Sequence, residues 1–163
     1  MNRESITIYW AGRLFNQAER IWNRLCANEL RALGYKVILP QEEVEKLNLP
    51  PGPALLDAIA KDCAQKVVDC LVALVNLDGP DADSGTSKEA GIKYENKRWT
   101  GRGFAIGVRT DFRGNSEDPE TGVNAMFRLL DSIVVYQDLD DDVHKLCQLI
   151  DERIMSLVQT SES

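Results

Sequence analysis

The run from Asp78 to Glu89, Asp-Gly-Pro-Asp-Ala-Asp-Ser-Gly-Thr-Ser-Lys-Glu, gathers carboxylates, glycines and hydroxyls directly after the most apolar stretch of the chain, Cys70 to Val75. Carboxylates at such a place can attack an electrophilic carbon or carry a proton. Glycine lets backbone approach a ligand closely, and a helix beginning here offers free N–H groups and the positive end of its dipole. Only one histidine is present, His144, in the acidic run Asp138 to His144, which reads as the solvated start of a helix. A histidine triad or multi-histidine metal site is therefore all but excluded, and catalysis must rest on carboxylates, hydroxyls or thiols.

Within that run Glu89 has two readings. It falls in the first turn of a helix, where a carboxylate points in a defined direction. Yet Thr86-Ser87-Lys88-Glu89 also fits a capping box, in which Glu89 bonds back to the Thr86 amide, and by spacing alone that is the commoner arrangement. Asp83 likewise suits a plain helix cap. Tyr9 reads by itself as an aromatic in a strand, and Met126 as core packing with Phe127, Leu129 and Leu130.

The elements that must position these residues alternate along the chain. Strands are expected at Ser5 to Trp10, Tyr35 to Leu39, Cys70 to Val75, Phe104 to Val108 and Ile133 to Tyr136. Helical spacing marks Asn16 to Leu33, Ala54 to Lys66, Ser84 to Lys97, a short stretch at Asn124 to Leu130, and a last helix to about Val158. The segment Gln41 to Pro53, with Pro50, Pro51 and Pro53, is expected as an irregular loop, and Asp111 to Gly122 as a polar one. A continuously apolar third strand is one buried on both faces of a parallel sheet. The pattern predicts an α/β, flavodoxin/Rossmann-like doubly wound sheet of about five parallel strands, helices on both faces, in one domain over residues 1–163. Ligands of such sheets sit beyond the carboxyl ends of the strands. Here those ends are Tyr9 to Gly12, Leu39 to Gln41, Asn76 to Gly79 and Arg109 to Asp111.

Composition narrows the classes of partner. The net charge of −7 repels a phosphate backbone, so no nucleic-acid polymer is expected. No apolar run approaches the length of a membrane span, and no signal-peptide pattern opens the chain. Cys26, Cys63, Cys70 and Cys147 form no C-x-x-C pair and read as reduced, mostly buried thiols of a cytoplasmic protein.

In order along the chain, Ile8-Tyr9-Trp10-Ala11-Gly12 with Leu14-Phe15-Asn16, Leu39-Pro40-Gln41, Asp78-Gly79 through Asp83-Ser84-Gly85-Thr86 to Glu89-Ala90-Gly91, and Gly122-Val123-Asn124-Ala125-Met126 resemble the nucleoside 2-deoxyribosyltransferase family. The resemblance implies that Glu89 is the nucleophile at the anomeric carbon of a 2′-deoxynucleoside. A deoxyribosyl ester then forms and is passed to a second free nucleobase. It further implies that Asp83 handles base protonation and recognition, and that Tyr9 orients Glu89 through its phenol. Gln41 and Phe15 contact and stack the base, while Gly12, Asp78 and Gly85 line the substrate. Asn124 and Met126 cover the sugar of a neighbouring site, making the active unit a homo-oligomer. No metal and no cofactor is implied.

The chain departs from the family pattern at Arg13, where the family commonly has proline, and at Lys88 beside the proposed nucleophile. Arg13 could meet a 5′-phosphate, turning the substrate from deoxynucleoside to deoxynucleotide. Arg109 and Arg113 could do the same, though surface ion pairs are the commoner fate of such a loop. Neither Asp62 nor Asp69 has the spacing expected of the family's second acidic residue. An N-hydrolase with the same nucleophile and a non-catalytic nucleotide-binding module on the same fold stay open beside the transferase.

Overall fold

The computed structural model describes residues 2–113, 117–118, 120–140 and 142–162. Five strands form one parallel sheet: β1 Thr7–Ala11, β2 Lys36–Ile38, β3 Val72–Asn76, β4 Phe104–Arg109 and β5 Ser132–Val135. Their spatial order is β2-β1-β3-β4-β5, so the direction of winding reverses between β1 and β3. In register, Tyr9 stands beside Ala73, and Val75 beside Gly107. The helices are α1 Gln17–Ala32, α2 Pro40–Glu43, α3 Pro53–Asp69, α4 Ser84–Thr100 and α5 Val143–Glu162.

Strand parity divides the core. Ile6, Ile8, Trp10, Val72, Leu74, Ile106 and Val108 pack with Cys26, Ala27 and Leu30 of α1 and with Leu146, Ile150 and Ile154 of α5. Tyr9, Ala11 and Ala73 point the other way, with Val67 of α3, Cys70, and the half-buried Cys63 and Ile92. Burial of whole side chains on both faces makes the central strands continuously apolar, as the third strand predicts.

Three local expectations need correction. The segment Gln41 to Pro53 is not irregular throughout, because α2 and a 3₁₀ turn at Val44–Leu47 occupy its first half. Proline does not block these helices: Pro40 and Pro53 stand at the starts of α2 and α3, where the missing N–H costs nothing. The stretch at Asn124 to Leu130 is a 3₁₀ helix, Ala125–Leu129, capped by the Asn124 side chain. Finally, Cys70 precedes β3 and closes α3, its N–H bonding Lys66 O. Parts of the polar loop (114–116 and 119) and Asp141 of the acidic run lie outside the described residues.

α5 begins where the acidic run ends. Asp142 accepts the His144 and Lys145 amides, and His144 is exposed beside Glu29. At the other end of the sheet, Arg3 grips Asp151 of α5 with two hydrogen bonds, 2.6 and 2.9 Å, and Tyr35 adds a third at 2.5 Å. The Arg3 guanidinium holds the Asp151 carboxyl below its ordinary value.

Candidate active site

α4 starts at Asp83, whose Oδ2 accepts the amides of Gly85 (2.9 Å) and Thr86 (3.1 Å). Asp83 is therefore the N-cap, and Thr86 is a buried residue inside the first turn. This overturns the capping-box reading of Thr86 to Glu89, since a box needs Thr86 at the cap. The chain does contain a capping box, at the start of α1, where the Asn16 side chain and Glu19 satisfy each other's amides.

Because the cap lies at Asp83, Glu89 falls in the second turn of α4 rather than the first as expected, and its carboxylate, freed from capping, meets β1. The Tyr9 hydroxyl donates to Glu89 Oε1 at 2.6 Å, across the switch point of the sheet. Parity explains the meeting: Trp10 faces α1, so Tyr9 must face α3 and α4. Burial pushes the Glu89 carboxyl above its ordinary value, the Tyr9 hydrogen bond opposes this, and the nearby Asp83 charge adds to it. Burial first, then the Glu89 charge, raises Tyr9, so the phenol stays a proton donor at any physiological pH. Cys63 packs beside the same tyrosine and is itself pushed up by burial.

The loop leading to Asp83 is held from several sides. Asp78 accepts the amides of Thr110 (2.6 Å) and Asp111 (2.9 Å) and the Thr110 hydroxyl (2.8 Å), tying the exit of β3 to that of β4. Asp111 returns the link by accepting the Gly79 amide at 2.8 Å. Arg109 is not exposed as expected: it is buried, and its guanidinium donates to the carbonyls of Leu77, Gly79 and Arg113. Arg113 does form the expected surface ion pair, with Asp111. Arg13 crosses from the β1 exit to the Asp81 carbonyl and lies against Gly79.

Gly12 is set in a tight place. A methyl group there would stand 3.1 Å from Trp10 Nε1, 3.2 Å from Asn23 Oδ1 and 3.3 Å from Asn76 Cβ. Asn23 was not singled out by sequence, yet it fastens this turn, accepting from Trp10 Nε1 (3.0 Å) and donating to Arg13 O (2.7 Å). A polar residue on the inward face of an amphipathic helix was the available signal. Gln41 is anchored as well, donating to Arg20 O at 2.9 Å. Phe15 is 75% exposed and Met126 69% exposed, so Met126 is not core; its neighbour Phe127 is.

Tyr9 and Glu89 are thus in direct contact, and the Asp83 charge is close enough to act on Glu89. Asn124 and Met126 are not brought to it: they border a recess of about 290 Å³ against Ser87, Gly91 and Tyr94, a different face of α4. Among the described residues no group of three or more His, Cys, Asp or Glu could hold a metal ion, and no helix is long and apolar enough to cross a membrane.

The fold has counterparts among solved structures. A conserved protein from Enterococcus faecalis superposes with a TM-score of 0.63 at 23% identity, covering 91% of this chain and 98% of its own. A 2-deoxyribosyltransferase from Bacillus psychrosaccharolyticus gives 0.57 at 21%, covering 86% and 95%. A CMP N-glycosidase from Clostridium botulinum gives 0.56 at 12%, covering 90% and 98%. At these identities the likeness is one of fold. No curated protein matches the chain significantly. The model of the nucleoside 2-deoxyribosyltransferase family, however, matches residues 8–126, from β1 to the 3₁₀ helix after Asn124. The chain belongs to the nucleoside 2-deoxyribosyltransferase family.

Proposed function

We propose that the protein cleaves the N-glycosidic bond of 2′-deoxynucleosides and transfers the sugar to another nucleobase, with Glu89 as nucleophile. The observation that carries this reading is the Tyr9–Glu89 hydrogen bond between β1 and the second turn of α4, in a chain of this family. Tyr9 occupies Oε1, so Oε2 attacks C1′. As the C1′–O bond forms, the C1′–N bond breaks and its electron pair goes to the base nitrogen, which takes a proton carried by Asp83. The second base reverses the sequence: its nitrogen attacks C1′, its proton returns to Asp83, and the Glu89 carboxylate leaves. Two inversions retain the anomeric configuration. A half-buried carboxylate is a fitting nucleophile because the positive charge developing on the sugar in the transition state is less screened there than in water.

If water takes the place of the second base, the same intermediate gives an N-hydrolase, as the likeness to a CMP N-glycosidase allows. Against a 5′-phosphate contact by Arg13 stands its engagement with the Asp81 carbonyl. Incubation with a deoxynucleoside, with and without a second free base, separates these readings. Exchange of base without accumulation of free deoxyribose is the expected result. Base release indifferent to the acceptor, with free deoxyribose accumulating, overturns transfer in favour of hydrolysis. Absence of any turnover favours a binding module.

A further inference from the structure

A cleft of about 420 Å³ opens at the carboxyl ends of β3, β4 and β5, against α1 and the start of α5. Neither Tyr9 nor Glu89 lines it, because strand parity sends those two to the α3 and α4 side. Its walls are aromatic: Trp22 of α1, Phe112 after β4 and Tyr136 after β5. Its rim carries Asp138, Asp142 and Arg13. The volume falls at the low end of the range for small-molecule sites, enough for a ring system and too small for a folded peptide.

The walls are held in place by the protein itself. The Tyr136 hydroxyl donates to Asp140 at 2.5 Å, and Asp142 caps α5 through the His144 amide. Phe112, by contrast, is 59% exposed, an aromatic face left to solvent at the cleft. The buried indole N–H of Trp22 has no acceptor among the described residues. Aromatic walls select a flat ring. Carboxylates call for N–H donors on that ring, and a guanidinium calls for a carbonyl or ring-nitrogen acceptor.

We propose that this cleft is a second ligand site that takes a free nucleobase bearing an exocyclic amine, stacked among Trp22, Phe112 and Tyr136. The inference stands apart from the chemistry at Glu89, since none of Tyr9, Asp83 and Glu89 lines the cleft. It also gives a route between the two places. Arg13 borders the cleft and reaches the carbonyl of Asp81, in the loop that ends at Asp83. A base that draws on the guanidinium alters the hold on that loop.

Calorimetric titration of adenine and of cytosine into the full chain tests the proposal. At least one base is expected to bind, and Phe112→Ala combined with Asp138→Asn is expected to weaken it by about fivefold to tenfold. Glu89→Gln is expected to leave that binding event in place. Circular dichroism confirms that each variant is folded. The proposal is overturned if neither base binds, or if binding ignores the Phe112 and Asp138 changes and disappears with Glu89→Gln. Deoxynucleoside cleavage measured on the Phe112→Ala, Asp138→Asn protein keeps the two readings separate: cleavage retained with base binding weakened supports the second site, whatever the role of Glu89.

Discussion

Tyr9 and Glu89, far apart in the chain, meet through a 2.6 Å hydrogen bond that joins β1 to the second turn of α4. The phenol is fully buried and stays protonated, so it donates to the carboxylate it faces and holds it in one orientation. One oxygen is engaged, and the proposed reaction uses the other.

Glu89→Ala is expected to lower the rate of base release by roughly a thousandfold or more while the protein stays folded. Tyr9→Phe keeps the ring and removes only the donor, and a charge-assisted hydrogen bond of this kind corresponds to about tenfold in rate. It also removes the contact that favours the ionised carboxylate. The acidic limb of the pH–rate profile, raised by burial above the ordinary glutamate value in the wild type, is therefore expected to move to still higher pH in Tyr9→Phe. A limb that stays in place would separate Glu89 from the rate-determining ionisation.

The raised Glu89 carboxyl also predicts a stability effect. Its folded state holds a proton more tightly than the unfolded chain, so the site's contribution is full at low pH and declines as pH rises through the folded value. Glu89→Gln keeps an acceptor for Tyr9 and carries no charge. Thermal unfolding followed at neutral pH is expected to show a higher Tm for Glu89→Gln than for wild type, with the gap closing in acid.

Gly79 has φ +102°, and a methyl group there would stand 2.3 Å from the Arg13 guanidinium. The guanidinium is the end of a flexible chain and can swing aside; the backbone angle cannot be relieved in the same way. Gly79→Ala is expected to cost about 1–2 kcal/mol in urea unfolding. It should also displace Arg13 from Asp81 and reduce turnover with the fold intact, an outcome that activity per folded molecule would show.

Asp151 behaves oppositely to Glu89. Its carboxyl is depressed by Arg3, so its contribution is present above the unfolded value and is lost as pH falls through the folded one. Arg3 is half exposed, so solvent screening limits the effect of Asp151→Asn to about 1 kcal/mol at neutral pH. Urea unfolding at neutral pH and in acid should show that difference and then its disappearance.

Much of this molecule is legible in one dimension. The alternation of apolar runs with helical spacing specifies a parallel α/β sheet, because a strand buried on both faces must be apolar throughout and crossovers between parallel strands need helices. The order of short motifs from Tyr9 to Met126 points to the family, and each motif lies along a strand's end or at a helix start. Tertiary structure alone decided the rest. Thr86 to Glu89 satisfies the spacing of a capping box, and only the competing cap offered by Asp83 and the phenol arriving from β1 turn Glu89 away from the backbone. Arg109 reads as a surface charge until the loops on either side fold over it and present their carbonyls. Local spacing states which bonds a residue can make; which of them it does make depends on what the distant chain brings within reach.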